Sequence, residues 1–382
     1  MAVYLIGFAL SILLIAYAEK KRLPVFLGLS FLALLIPCLI AGLREQSVGT
    51  DVLVYVKPMT EAALSAKNLD QFFDGYWFAQ WRNLYVQDYE VGFSMLVYLV
   101  ARVTRSLPAV LFSIQALMVV PVYIALARNR KDFPVWLGML LYYFLFFNAT
   151  LNMMRQWNAM ALLLLAFQLL RERKVWLTAI LVVIAFFFHK TAIVALPVFM
   201  LFWFLWIIRH TRFVQGNLQL QGATIVTALL FFLAVFALMN LSLLLKVLSL
   251  VGMGQYSNYL QGNDIQLMAS QIVLRLPLLI VLFWCFRSMC RTDSATPFYA
   301  SVVLLDLVVS QLVSIDDNAL RISAYLSMYN ILWVPSAYHS CKKGMKRTLV
   351  TLLVIAYAVF YWYYTYILQG RHMTYPYVFG PW

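Results

Sequence analysis

Apolar residues run through this chain in blocks of about 17–25, each stopped by a short polar or charged stretch, which is the length a helix needs to cross a bilayer. Read block by block, the pattern predicts spans near 2–18, 23–43, 107–127, 133–150, 153–170, 175–188, 191–208, 222–250, 270–287, 297–314, 319–338 and 346–367, twelve in all. Residues 91–105 do not fit as a thirteenth. Their apolar part, Val91 to Val103, gives about 20 Å of helix at 1.5 Å per residue, short of a hydrocarbon core of about 30 Å, so a re-entrant or interfacial half-helix is expected.

Charge supports this parity. The clusters Lys20/Lys21/Arg22, Arg128/Arg130/Lys131, Arg171/Arg173/Lys174, Arg209/Arg212, Arg287/Arg291 and Lys342/Lys343/Lys346/Arg347 hold 17 of the 29 basic residues. All six fall on one side of the bilayer if both termini lie outside, as the positive-inside rule asks. Composition agrees: 64% of the 382 residues are hydrophobic, 12% are charged, and mean hydropathy is +0.83, so a water-soluble single-core architecture is excluded. The net charge of +14 therefore reads as orientation in the membrane, not as nucleic-acid binding. The N-terminal apolar stretch starts at Ala2 and precedes the first positive cluster, so it reads as a retained helix. Cys38, Cys285, Cys290 and Cys341 suggest neither a disulfide framework nor a zinc site.

No internal repeat or low-complexity tract divides the chain, and an all-α polytopic membrane domain over 1–382 is expected. Two external loops, 44–106 and 251–269, are too long to be simple connections. Within the first, Phe72, Phe73, Tyr76, Trp77, Trp81 and Tyr85 suit an interfacial helix at headgroup level. They could equally form a sugar-binding surface.

The unusual polar residues gather on the outer side. "GLREQSVGTDVLVY" offers Arg44, Gly49, Thr50, Asp51 and Tyr55, although Thr50 or Asp51 could simply cap a helix. "QDYEVGF" places Glu90 before the half-helix, where N-capping is the plain alternative. "NMMRQWNA" puts Arg155 and Gln156 near the outer start of a crossing helix, and an arginine near lipid depth costs roughly 2.5–3.5 kcal/mol unless its donors find acceptors. "AFFFHKTAIVALP" breaks two apolar runs with His189, Lys190 and Thr191; this histidine is either structural or a proton carrier. In "IDDNALRISAY", Asp316 and Asp317 can cap the helix that carries Arg321. Arg44, Arg155, Arg321 and Arg275 are then expected to converge on an anion, most naturally the diphosphate of a lipid carrier. Few outer acids are available as metal ligands, and neither a metal nor a cofactor is expected.

In these motifs the chain resembles the EpsG/Wzy group of bacterial polysaccharide polymerases. The resemblance lies in Arg44 with Gly49-Thr50-Asp51 and Tyr55, in Glu90-x-Gly92, in Asn152-x-x-Arg155-Gln156-x-x-Ala159, and in Phe188-His189-Lys190-Thr191-Ala192. Arg321 and Tyr375-Pro376-Tyr377 support it. It implies a glycosyltransferase-C-like fold in the bacterial inner membrane, with a site facing the periplasm or exterior. It implies transfer of a growing glycan from undecaprenyl diphosphate to the non-reducing end of a lipid-linked repeat unit. The product would be O-antigen, capsule or exopolysaccharide, and a chain-length regulator and a flippase would be its membrane partners. The diphosphate would meet Arg44, Arg155, Gln156 and Arg321, and the glycan Thr50, Tyr55, Trp77, Trp81, Tyr375 and Tyr377. The base would be Glu90, His189 or Asp51, in that order. A transporter or flippase of lipid-linked sugars, an O-antigen ligase and a non-enzymatic scaffold are the alternatives. The one-sided distribution of polar residues and the absence of repeated halves disfavour the transporter.

Overall fold

The computed structural model describes residues 1–131, 133–210, 217–240, 266–314 and 319–381. The chain forms two compact units, one of Met1–Ala195 with Ile355–Trp382, the other of Leu196–Val354.

The first unit opens with α1 (Ala2–Ala18) and α2 (Leu23–Gly42), which pack side by side; the Ser11 hydroxyl donates to Ala33 O at 2.9 Å across them. Lys20-Lys21-Arg22 forms the turn between them, since three charges cannot continue an apolar helix and Pro24 suits a first turn. Farther on come α6 (Leu107–Ala127), α7 (Val135–Thr150), α8 (Met154–Arg171) and α9 (Val175–Phe188). The core of this unit is aromatic. Phe8 and Tyr143 stack with centroids 5.3 Å apart, and Trp362 Nε1 donates to Asn148 Oδ1 at 2.7 Å.

Between α2 and α6 lies the segment expected to be the first external loop. A π-helical turn, Val52–Val56, runs into α3 (Lys57–Ser65), followed by the short α4 (Leu69–Phe73), a β-hairpin, and α5 (Val91–Thr104). The hairpin corrects the expected interfacial helix. Strands β1 (Tyr76–Ala79) and β2 (Arg82–Tyr85) pair antiparallel in the register Tyr76↔Tyr85 and Trp77↔Leu84, and the turn residues Gln80 and Trp81 both have positive φ. Asp74-Gly75 ends the helical pattern of α4. Tyr-Trp-Phe then favours an extended backbone, where aromatic side chains fit a pleated surface. The helix α5 is 14 residues long, about 21 Å at 1.5 Å per residue, as expected of a half-helix.

The second unit holds α10 (Ala195–His210, beginning at the unit boundary), α11 (Asn217–Met239), α12 (Ala269–Thr292), α13 (Thr296–Val309), α14 (Ala319–Ser327), α15 (Asn330–Ser340) and the start of α16 (Met345–Trp362). Asp293 organises the turn before α13: its Oδ1 accepts from Ala295 N at 2.9 Å and its Oδ2 from the Ser336 hydroxyl at 2.9 Å. The expected span 319–338 is two helices, broken at Met328–Tyr329.

Each expected span coincides with a helix or a pair of helices, except that 222–250 can be followed only to residue 240. By length and composition, six helices among the described residues can cross a membrane: Leu23–Gly42, Leu107–Ala127, Lys190–Arg209, Ala269–Thr292, Thr296–Ser314 and Met345–Leu368. The protein is an all-α membrane protein apart from one β-hairpin among the described residues. Most of the expected second external loop, 251–265 of 251–269, and the acids Asp316 and Asp317 lie outside the described residues.

Candidate functional site

Glu90 stands immediately before α5, where a carboxylate would ordinarily cap the helix, yet it makes no capping bond. Its two oxygens turn to side chains from distant parts of the first unit. Oε2 accepts from Arg155 Nη1 at 2.5 Å, and Oε1 lies 2.8 Å from His189 Nδ1 and accepts from Lys190 N at 3.3 Å. Capping is thus not what this carboxylate does.

Close packing makes this convergence possible. His189 ends α9 in an extended conformation, and Gly92 lies against the last turn of that helix. A Cβ on Gly92 would stand 2.8 Å from Phe187 O and 3.0 Å from Phe187 C, so only glycine lets the start of α5 approach the end of α9. Glu90-x-Gly92 therefore reads as one device: a carboxylate and the gap that delivers it.

The Arg155 guanidinium is held by two rings. Its Cζ lies 4.8 Å from the Tyr89 ring centroid and 5.3 Å from that of Tyr55, within range of cation–π attraction. Tyr89 in turn stacks on Trp77 at 5.7 Å, and Trp77 Nε1 donates to Val54 O at 2.7 Å, tying the hairpin to the turn that carries Tyr55. Trp77 is thus half-buried support for Tyr89 and Tyr55. Trp81, at the hairpin tip, is 94% exposed.

The Gly49-Thr50-Asp51 stretch is pinned from α7's exit. Thr50 Oγ1 donates to Asn152 Oδ1 at 2.8 Å, and Asp51 N donates to the same oxygen at 3.1 Å. Asp51 Oδ2 accepts from the Tyr55 hydroxyl at 2.5 Å. Gly49 has φ +86°, and a Cβ there would meet Leu151 O at 2.7 Å, so the loop can lie on α7's end only with glycine. Thr50 and Asp51 cap no helix here; they are clamped by Asn152, a residue that the sequence reading did not single out for the site.

Arg44 behaves differently from Arg155. It is 1% exposed; Nη1 donates to Ala41 O at 3.3 Å, and Nη2 to Leu151 O at 3.0 Å and weakly to Met154 Sδ at 3.9 Å, while Nε finds no partner. Two of these acceptors are carbonyls at the C-terminal ends of α2 and α7, where orphan C=O groups and the helix dipole favour a cation. Burial lowers its pKa to about 10, against the pull of Tyr4, Tyr377, Asp51 and Tyr55, so the group stays charged near neutrality. The C-terminal tail closes over it. Glu45 N donates to Val378 O at 2.8 Å, Gly380 N to Leu43 O at 2.9 Å, and Gly49 N to Met373 O at 2.9 Å. The Tyr377 hydroxyl donates to Ile40 O at 2.9 Å, whereas Tyr375 is exposed. Gln156 is buried, its amide against Met160 Sδ at 3.6 Å.

The four arginines therefore do not form one uncompensated cluster. Arg155 pairs with Glu90, Arg44 holds helix ends, and Arg275, in the second unit, pairs with Asp306 through Nε at 2.7 Å and also bonds Gln271 and Ser323. Arg321 is exposed on the first turn of α14 in the second unit. Among the described residues no group of three or more His, Cys, Asp or Glu is placed to hold a metal.

Electrostatics separates the candidate bases. Burial raises the Glu90 pKa, but the hydrogen bond to His189 and the neighbouring charge of Arg155 outweigh it, and the carboxyl falls to about 2. Such a carboxylate binds protons too weakly to act as a base near neutral pH. It can instead accept the Nδ1 proton of His189, which fixes the tautomer and leaves Nε2 as the ring's proton acceptor. Tyr89, which stacks against both Arg155 and Trp77, was also missed; its place beside Glu90 in "QDYEVGF" was the available signal.

A family model matches residues 27–379, nearly the whole chain, and it describes the EpsG family. The chain belongs to the EpsG family. Membership in EpsG points to a polysaccharide polymerase in general, of glycosyltransferase type. No curated protein and no solved structure matches the chain. The matched region includes Glu90, Arg155, His189 and Asn152.

Proposed function

We propose that this EpsG-family protein polymerises a lipid-linked glycan on the outer face of the bacterial inner membrane. The growing chain moves from its undecaprenyl diphosphate carrier to the non-reducing end of an incoming lipid-linked repeat unit. The observation that carries this reading is the Glu90 carboxylate bridging an arginine and a histidine, Arg155 at 2.5 Å and His189 at 2.8 Å. It combines an anion-binding cation with an oriented proton acceptor, the two things this transfer needs.

In the proposed step the acceptor hydroxyl oxygen attacks the anomeric carbon of the donor. The bond from that carbon to the diphosphate oxygen breaks, and its electron pair leaves with undecaprenyl diphosphate. His189 Nε2 takes the hydroxyl proton, and Glu90 balances the imidazolium. Arg155, its plane fixed by Tyr55 and Tyr89, stabilises negative charge as it develops on the leaving diphosphate. Asp51, Thr50 and Tyr55 line the approach of the sugars. Neither metal nor cofactor enters the step.

The test is polymer formation by purified protein supplied with lipid-linked repeat units, read as a glycan ladder. Wild type should give the ladder, Arg155→Ala should slow it about 10²–10³-fold, as loss of one preorganised charge donor does, and His189→Gln should abolish it. Arg321→Ala in the same assay asks whether the second unit supplies a further cation. A competent substrate preparation that yields no ladder with wild type refutes the proposal.

A further inference from the structure

In the first unit, a cavity of about 390 Å³ whose lining does not include Glu90 opens between α3, the loop after Arg44, and the junction of α5 with α6. Its polar lining includes Arg105, Lys57, Gln46, Ser106 and Glu61, and Pro108 is part of its apolar wall. Lys57 and Glu61 form only a long, solvent-exposed pair at 3.9 Å. The Arg105 side chain makes no hydrogen bond or ion pair with any described residue. The cavity therefore carries one cation already shared with a carboxylate and one uncompensated guanidinium.

The backbone at Arg105 is informative too. This residue ends α5 with φ +51°, ψ +30°, a left-handed conformation in which glycine is at ease and a long side chain is not. An arginine that lines the cavity from there does so at some conformational cost.

Chain geometry links the cavity to the reaction centre. Asp51 and Tyr55 belong to the turn that runs without a break into α3, and Lys57 and Glu61 follow on that helix. At 1.5 Å per residue they lie about 9 and 15 Å along the axis from Asp51, a reach of a few sugar residues. Hydroxyl, amide and paired charges beside an apolar wall suit a saccharide, and the unpaired guanidinium suits a carboxylate carried on it.

We infer that this cavity is a glycan subsite that recognises an acidic sugar, a hexuronate or a pyruvyl-ketal-bearing residue, with Arg105 as the carboxylate ligand and Lys57 in support. The inference deepens the polymerase reading and rests on it for the position of the glycan, but its test is one of binding.

Full-length protein in phosphatidylcholine nanodiscs is titrated with tetrasaccharides carrying glucuronate, galacturonate or a pyruvyl ketal, and with carboxyl-reduced or ketal-free counterparts. At least one acidic glycan should bind about tenfold more tightly than its neutral counterpart, a charge-assisted bond's worth. Arg105→Gly, which relaxes the backbone and removes the guanidinium, should erase that preference, and Lys57→Gln should weaken it. Glu90→Gln should leave it intact. Equal affinity for all acidic and neutral pairs overturns the inference, as does a preference that survives in Arg105→Gly. Loss of the preference in phosphatidylglycerol nanodiscs overturns it as well, because the cavity would then be reading a lipid headgroup. A missing glycan ladder alongside a retained acidic preference would instead sink the polymerase reading and leave the subsite standing.

Discussion

Replacing Gly92 with alanine sets two effects against each other, and the structure decides which wins. Within a helix, alanine is favoured over glycine by about 1 kcal/mol, so propensity alone predicts a stabilised α5. The new Cβ, however, would lie 2.8 Å from Phe187 O and 3.0 Å from Phe187 C, both main-chain atoms that cannot rotate aside. Reaching ordinary contact at 3.4 Å means a retreat of about 0.6 Å between the start of α5 and the end of α9. Glu90 and His189 lie two residues from the two sides of that contact. A matching retreat would stretch their 2.8 Å bond to about 3.4 Å, where a hydrogen bond is nearly lost. Misplacement by 1 Å can slow a reaction about 10²-fold, so a loss of about 10–100-fold in the initial rate of ladder formation is expected. Gly28→Ala is the control: nothing lies within 4 Å of its added Cβ, and activity should be unchanged. Phe187→Ala should not rescue Gly92→Ala, since the clash is with backbone. Wild-type rate in Gly92→Ala, or rescue by Phe187→Ala, would refute the reasoning.

Three further outcomes follow from the same geometry. Glu90's carboxyl is held at about 2, below its ordinary value of 4.5, so the stability it contributes is present above pH 4.5 and is lost as pH falls toward 2. Thermal unfolding from pH 6 to pH 3 should show this loss in wild type and less of it in Glu90→Gln. Arg155→Lys keeps the charge but loses the planar group held by Tyr55 and Tyr89, and the polymerisation rate should fall at least about tenfold. Asn152→Ala removes the acceptor shared by Thr50 Oγ1 and Asp51 N, which should destabilise the protein by about 1–3 kcal/mol in denaturant titration and lower activity with it.

The helices were legible because hydrophobic block length and charge punctuation are local signals. The start of α2 after Lys20-Lys21-Arg22 and of α6 after Ser106 could be placed to within a residue or two. The hairpin was not, since Phe72, Phe73, Tyr76 and Trp77 read as one aromatic stretch until Asp74-Gly75 is recognised as its end. Among the motifs, Glu90, Arg155 and His189 could each be singled out as polar residues in apolar surroundings, and the structure brings these three together. Their roles relative to one another were not legible. A carboxylate's proton affinity depends on which cations reach it across 65 and 99 residues of sequence, and no local pattern encodes that. Arg44 shows the same limit from the other side: a guanidinium suited to phosphate is equally suited to two helix-end carbonyls.

This division of labour among the arginines has a physical logic. Arg44 is fully buried and surrounded by carbonyls, so an arriving diphosphate could reach it only by displacing the tail that closes over it and the helix ends it joins. Arg155 keeps 27% of its side chain exposed and is paired through one nitrogen to Glu90, so a diphosphate can approach without dismantling the fold. The Glu90 charge also serves before substrate arrives. It satisfies a guanidinium that would otherwise be costly in apolar surroundings, and in the proposed transfer the same carboxylate would steady the imidazolium across the ring. One carboxylate shared by a guanidinium and an imidazole thus lets a polar site persist in a largely apolar protein, with the guanidinium still open to an anion and Nε2 left as the ring's proton acceptor.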